Sequence, residues 1–227
     1  CVTAPGSGAH HAWKILVAGL ASSITATNAT MTHYRSPQLH GVQAAGAPPF
    51  SPPTNLLTEG GDFIFFRGDQ FGPLLQDSGL ANIKVRYGPE FDKARYETSS
   101  CTLQKTTLFE NEINGTLASQ NNLGTIRCVT APGVGKNLFF TLFIDGQEDV
   151  CSQLGRRHSS LAAYRPPTVR LYKGAGATKA NTPGGQLVVI EGGQFGPIGE
   201  KNDIEEATYF NSQEMIDYLT ESREINE

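Results

Sequence analysis

Tandem all-β units, each an antiparallel sandwich, are what this sequence predicts, and three observations carry that prediction. Helix breakers abound: 25 Gly and 13 Pro in 227 residues, about one in six, beside only 2 Met and 1 Trp. Long helices do not tolerate that composition. Apolar residues come in short runs or strict alternation, bounded by Gly, Pro and Asp, which is the strand pattern. The same landmarks also recur in the same order along the chain. Cys1-Val2-Thr3-Ala4-Pro5-Gly6 returns letter for letter as Cys128-Val129-Thr130-Ala131-Pro132-Gly133, 127 residues later. Tyr34-Arg35-Ser36-Pro37 matches Tyr164-Arg165-Pro166-Pro167 at an offset of 130. Gly60-Gly61 through Gly72-Pro73 matches Gly184-Gly185 through Gly196-Pro197 at 124, and Tyr87 and Tyr96 find Tyr209 and Tyr218 at 122.

A period this long exceeds a solenoid unit of ~20–50 residues, so each copy reads as a domain with its own core. The expected division is residues 1–35 as the end of a first copy, 36–164 as a whole copy, and 165–227 as the front of a third. The chain thus reads as a window of a longer repeat protein. Its last residues, 212–227, are expected to fray, with helix at Gln213–Leu219.

Within the whole copy the strands follow in order. Phe63-Ile64-Phe65-Phe66 is an apolar run between Gly pairs, predicting a strand buried on both faces. Ile83, Val85 and Tyr87 alternate with Lys84 and Arg86, predicting a half-exposed strand. Thr125 to Thr130 alternates and is stopped by Ala131-Pro132-Gly133. Leu138 to Ile144 is aromatic and apolar, and Asp145-Gly146 supplies a hairpin turn of the primed type. A last short strand is expected from Ser159 to Tyr164, ended by Pro166-Pro167. About seven short strands separated by turn signals suit a sandwich. Leu187 to Ile190 repeats the first run in the third copy.

This succession resembles the IPT/TIG domain, the immunoglobulin-like unit of plexins, the hepatocyte-growth-factor receptor and some transcription factors. The residues that carry the likeness are a Gly-Gly pair, an apolar tetrad, Gly-x-Gln-Phe-Gly, an isolated Cys, Thr-Ile-Arg-Cys-x-Thr-x-Pro-Gly-x-Gly, a strand pair around Asp-Gly, and Tyr-x-Pro-Pro. Two features depart from it: Gln70 and Gln194 stand where the family most often has Asn, and the segment Gly41 to Leu57 has no equal-length partner in the third copy. The resemblance implies a structural role for Gly60, Gly61, Gly68, Phe71 and Gly72, and for Gly184, Gly185, Gly192, Phe195 and Gly196 in the third copy. Gly72 and Gly196 are suited to positive φ at the sharp turn, and Phe71 and Phe195 to plugging the sandwich end.

The resemblance also implies a disulfide between Cys101 and Cys128, 27 residues apart, and a partner for Cys1 that precedes residue 1. For Cys151, aligned with Ile24, three outcomes stay open: a free thiol, a partner outside the chain, or Cys1. The competing reading of all four is reduced core cysteines in a cytosolic protein. Two N-glycosylation sequons, at Asn28 and Asn114, sit in polar stretches and lean toward secretion. Arg67-Gly68-Asp69 spells an integrin-ligand tripeptide, but it falls at a tight turn ending a strand rather than on a protruding tip, so adhesion through it is the lesser reading.

Several classes are disfavoured. With 18 Lys+Arg against 22 Asp+Glu, the net charge of −4 leaves no concentrated basic field for phosphates, so no nucleic-acid partner is expected. No apolar run approaches ~20 residues, so any membrane attachment would come from segments outside this window. No Gly-x-Ser-x-Gly, His-Glu-x-x-His or phosphate loop occurs, and Gly174-Ala175-Gly176 reads as a loop without the helix a dinucleotide site demands. The five His are not spaced with the Cys as zinc ligands. No metal or cofactor is expected. The expected function is a non-catalytic structural and interaction module at the cell surface or in a secreted protein, partnered by adjacent repeats and by protein or glycan ligands. The alternatives are an accessory domain of a carbohydrate-active enzyme and, last, part of a DNA-binding transcription factor.

Overall fold

The computed structural model describes residues 1–23, 31–48, 51–73, 82–104, 123–150, 161–197 and 207. The chain is all-β, and its core is two facing four-stranded antiparallel sheets built from residues 38–148. The first sheet holds β5 (Gln38–Ala44), β6 (Phe63–Asp69), β10 (Leu123–Val129) and β9 (Ser100–Gln104), in that spatial order. The second holds β12 (Gln147–Glu148), β11 (Phe139–Ile144), β7 (Ile83–Gly88) and β8 (Tyr96–Glu97).

Alternation along each strand delivers the core. Leu39, Val42, Ile64, Phe66, Ile126 and Cys128 point inward from the first sheet, and Val85, Tyr87, Phe140, Leu142 and Ile144 from the second. Phe66 and Phe140 meet across the sandwich edge to face, with ring centroids 5.2 Å apart, a favoured aromatic geometry. The run Phe63–Phe66 is buried on one face only, which corrects the expectation of two: Ile64 and Phe66 are enclosed, whereas Phe63 lies outside with the Arg127 guanidinium 4.7 Å from its ring centroid. An outer face covered by a cation over a ring keeps an apolar residue tolerable there.

β5 was not foreseen from the sequence. Its register slips between Leu39 and Gly41 against β6, and this bulge breaks the period of two, so that Leu39 and Val42, three apart, both reach the core. The hairpin at Asp145-Gly146 is as expected, with φ of 47° and 81° and Ile144 opposite Gln147. The expected strand at 159–164 is reduced, in its described part, to two isolated bridges, Leu138 with Ala162 and Leu56 with Tyr164.

The flanking residues form smaller two-stranded pieces. β1 (His11–Ala12) pairs with β4 (Met31–Thr32), and β2 (Leu16–Val17) with β3 (Leu20–Ala21). Beyond the sandwich, β13 (Thr168–Lys173) pairs with β14 (Val189–Gly193). The strand expected at 187–190 therefore starts at Val189 and runs on to Gly193. One turn of helix, α1 (Ala175–Thr178), occupies what reads as a loop in the sequence. The helix expected at 213–219 and the frayed end at 212–227 lie outside the described residues, as do Asn28, Asn114 and Cys151.

Candidate functional site

The Cys101–Cys128 disulfide is present, with Cα atoms 4.1 Å apart. Cys101 and Cys128 are directly opposed on neighbouring strands β9 and β10, so the bond staples one sheet instead of joining the two. Cys128 is fully buried. Cys1 is exposed and free.

The segment after β6 positions three of the predicted residues. Gln70 (φ 59°) and Gly72 (φ 89°) both take the left-handed conformation, which turns the chain sharply and swings Phe71 back over the strand it has just left. Phe71 is buried and lies on Gly68, where a Cβ would come within 2.6 Å of its ring and would also run into the Gln38 carbonyl of β5. Gly68 is thus glycine because backbone and ring share its side-chain space. Gln in a left-handed turn lacks the local hydrogen bonding that makes Asn comfortable there. Gly60 closes the other end of β6: a Cβ there would stand 2.6 Å from the Ala131 carbonyl carbon.

Residues 184–196 reproduce this arrangement. Gln194 (φ 61°) and Gly196 (φ 111°) are left-handed, as are Gly184 (φ 76°) and Gly185 (φ 86°) beside Gly60 (φ 73°) and Gly61 (φ 88°). A Cβ on Gly192 would meet Phe195 at 2.6 Å and collide with the Thr168 carbonyl. Even the bulge recurs, between Val169 and Leu171 against β14. Burial does not: Phe195 is 38% exposed where Phe71 is 2% exposed.

A tyrosine network that sequence reasoning missed closes the opposite end. Tyr164 Oη donates to the Ala131 carbonyl at 2.7 Å and lies 2.7 Å from Tyr87 Oη. The Ala131 N–H in turn donates to Tyr87 Oη at 2.9 Å, so every buried polar atom of the trio is paired. Burial pushes the Tyr87 phenol up to about 12 and raises that of Tyr164 as well. Tyr34 repeats the contact in the first residues, donating to the Ala4 carbonyl at 2.6 Å. Its N–H meets the Gly8 carbonyl at 3.0 Å, as the Tyr164 N–H meets that of Gly135 at 2.9 Å. The signal available in the sequence was the recurrence of a Tyr-Arg pair after each Ala-Pro-Gly, at Tyr34 and Tyr164.

Arg67-Gly68-Asp69 does not sit at the strand-end turn expected of it. The tripeptide is part of β6, with Arg67 opposite Gly41 and Thr125, Gly68 opposite Leu39 and Gly124, and Asp69 opposite Gln38 and Leu123. Asp69 Oδ2 lies 3.3 Å from His40 Nε2. A strand paired on both edges cannot project as a tip, and the turn begins one residue later.

Among the described residues, no group of three or more His, Cys, Asp or Glu converges to hold a metal ion, and no helix is long and apolar enough to cross a membrane. No family model, curated protein or solved structure matches this chain.

Proposed function

We propose that this chain is a non-catalytic structural and interaction module: consecutive IPT/TIG-like beads of a cell-surface or secreted protein, spacing other domains and offering loops to protein or glycan partners. The observation that carries the reading is the recurrence of local geometry at the repeat offsets. The bulge, the glycine under an aromatic ring and the left-handed Gln-x-Gly turn appear at 38–72 and again at 168–196. The tyrosine that returns to an Ala-Pro-Gly turn appears at 4–34 and again at 131–164. Independent evolution of the same three-part device at matching offsets is a poor account, and duplication a simple one. The disulfide supports an oxidising compartment, because such bonds persist outside the cytosol. A fold motif carries no chemistry of its own, so function on this reading lies in reach and in loops.

Secretion of the chain from a eukaryotic host tests the proposal. The expected product is a monomer with Cys101 linked to Cys128, a mass that falls on glycosidase treatment through Asn28 and Asn114, and no retardation of duplex DNA at low salt. Strongly salt-dependent duplex binding, or retention of the unglycosylated chain inside the cell, would overturn it.

A further inference from the structure

The two junctions between neighbouring units use the same pair of surfaces, and the turn after the first core strand is one of them. At the second junction, Gln194 Oε1 accepts hydrogen bonds from both the backbone N–H of Thr58, at 3.3 Å, and its hydroxyl, at 3.1 Å. Thr58 is 1% exposed, so these are enclosed bonds. The Thr58 carbonyl accepts from the Gly133 N–H at 2.9 Å, which places Thr58 at the end of the sandwich formed by the Ala131–Gly135 turn. At the first junction, a Cβ on Gly72 would stand 3.0 Å from Ser7, and Ser7 occupies in residues 1–35 the place of Val134, 127 positions on. Ser7 Oγ donates to Asp145 Oδ2, and Gln147 Nε2 donates to the Tyr34 carbonyl at 3.0 Å. Both times, the turn containing Gln-Phe-Gly-Pro of one unit meets the Ala-Pro-Gly end of the unit before it.

We propose that this turn is a docking turn whose partner is the preceding copy of the same repeat, so that consecutive units stack head to tail at a fixed angle. The inference rests on the repeat reading. It accounts for Gln at 194, where the extra methylene of Gln over Asn supplies the reach to Thr58. The connection is equally constrained. Arg165 Nε donates to the Asn55 carbonyl at 3.0 Å and its N–H to the Leu56 carbonyl at 2.8 Å, leaving Pro166-Pro167, a stiff pair, before β13. A head-to-tail surface of this kind can recur at every junction of a longer array.

Residual dipolar couplings measured on the whole chain test it. One alignment tensor should fit the amides of β6, β10, β13 and β14 together. Gln194→Asn combined with Thr58→Val should split it into two, with amide exchange at residue 58 about tenfold faster, the effect of one lost backbone hydrogen bond. Asn keeps the left-handed turn comfortable, so the variant removes reach and not the fold. Two tensors in the unaltered chain, or a single tensor in the double variant, would overturn the docking turn. Contacts between Thr168 and Gly193 that persist in either case keep the repeat reading intact. Their absence in the unaltered chain would overturn that reading and the docking turn with it.

Discussion

The strand pairs β5–β6 and β13–β14 have nearly the same backbone and opposite surroundings. Both carry a bulge two residues into the first strand, a glycine pressed by a carbonyl and a ring, and a left-handed Gln-x-Gly turn. In the first pair Ile64, Phe66 and Phe71 are 0%, 0% and 2% exposed; in the second Val188, Ile190 and Phe195 are 41%, 42% and 38% exposed. The difference separates two causes that are usually entangled. Conformation here comes from the local sequence, through glycine, the bulge and the turn. Burial comes from the second sheet, β12-β11-β7-β8, which faces the first pair. A motif can therefore fix a shape without the hydrophobic stabilisation that normally accompanies it.

The largest expected effect breaks that comparison directly. Phe66→Ala should lower unfolding stability, read by denaturant titration, by about 3–5 kcal/mol through the cavity it opens, while Ile190→Ala, its counterpart 124 residues on, should change it by about 0.5 kcal/mol or less. Next comes the disulfide, which has a described counterpart in neither flank. Cys101→Ser with Cys128→Ser should cost ~3.5 kcal/mol on the chain-entropy model for a loop of 27 residues, read as a shift in denaturant midpoint. Gly68→Ala and Gly192→Ala should then sharpen the comparison, because both positions lack room. The first should cost about 1–3 kcal/mol of global stability through overpacking, whereas the second should disturb only β13–β14, seen as amide shift changes confined to 168–193.

Last comes the pH-dependent part of the tyrosine pair's effect, which appears only in alkali. Tyr87 is neutral in the fold and its phenol is held up to about 12 by burial, against ~10 for a free phenol. Its contribution is complete below pH 10 and is lost as pH rises toward 12. Tyr87→Phe should therefore flatten the fall in stability across that window, measured by urea unfolding at a series of pH values.

Much of this was readable from residues alone, for physical reasons that differ by element. Strands β7, β10 and β11 alternate or run apolar without interruption, so period and composition agree with the result. Asp145-Gly146 declares its own turn. β5 was not readable, since a bulge at His40 and Gly41 destroys the alternation that would have signalled it. β9 and β8 are short and lie at the sheet edges, where half-exposed polar residues give little pattern. The outward face of β6 misled because Phe63 and Phe65 look like core until Arg127, distant in sequence, covers one of them. Arg67-Gly68-Asp69 shows the limit of a motif: strand pairing, not spelling, decides whether it is a tip. Thr58 with Gln194 lay beyond any sequence signal, as a contact between residues 136 apart depends on packing that no single residue encodes.

Native-state hydrogen exchange on the intact chain tests most directly the claim that 36–164 owns the core while its flanks share only its local geometry. Amides of β6 and β10 should exchange through global unfolding, at least ~10³-fold more slowly than those of β13 and β14. Protection of the β14 amides as strong as that of β6 would contradict the account, because it would mean that the second strand pair has a core of its own.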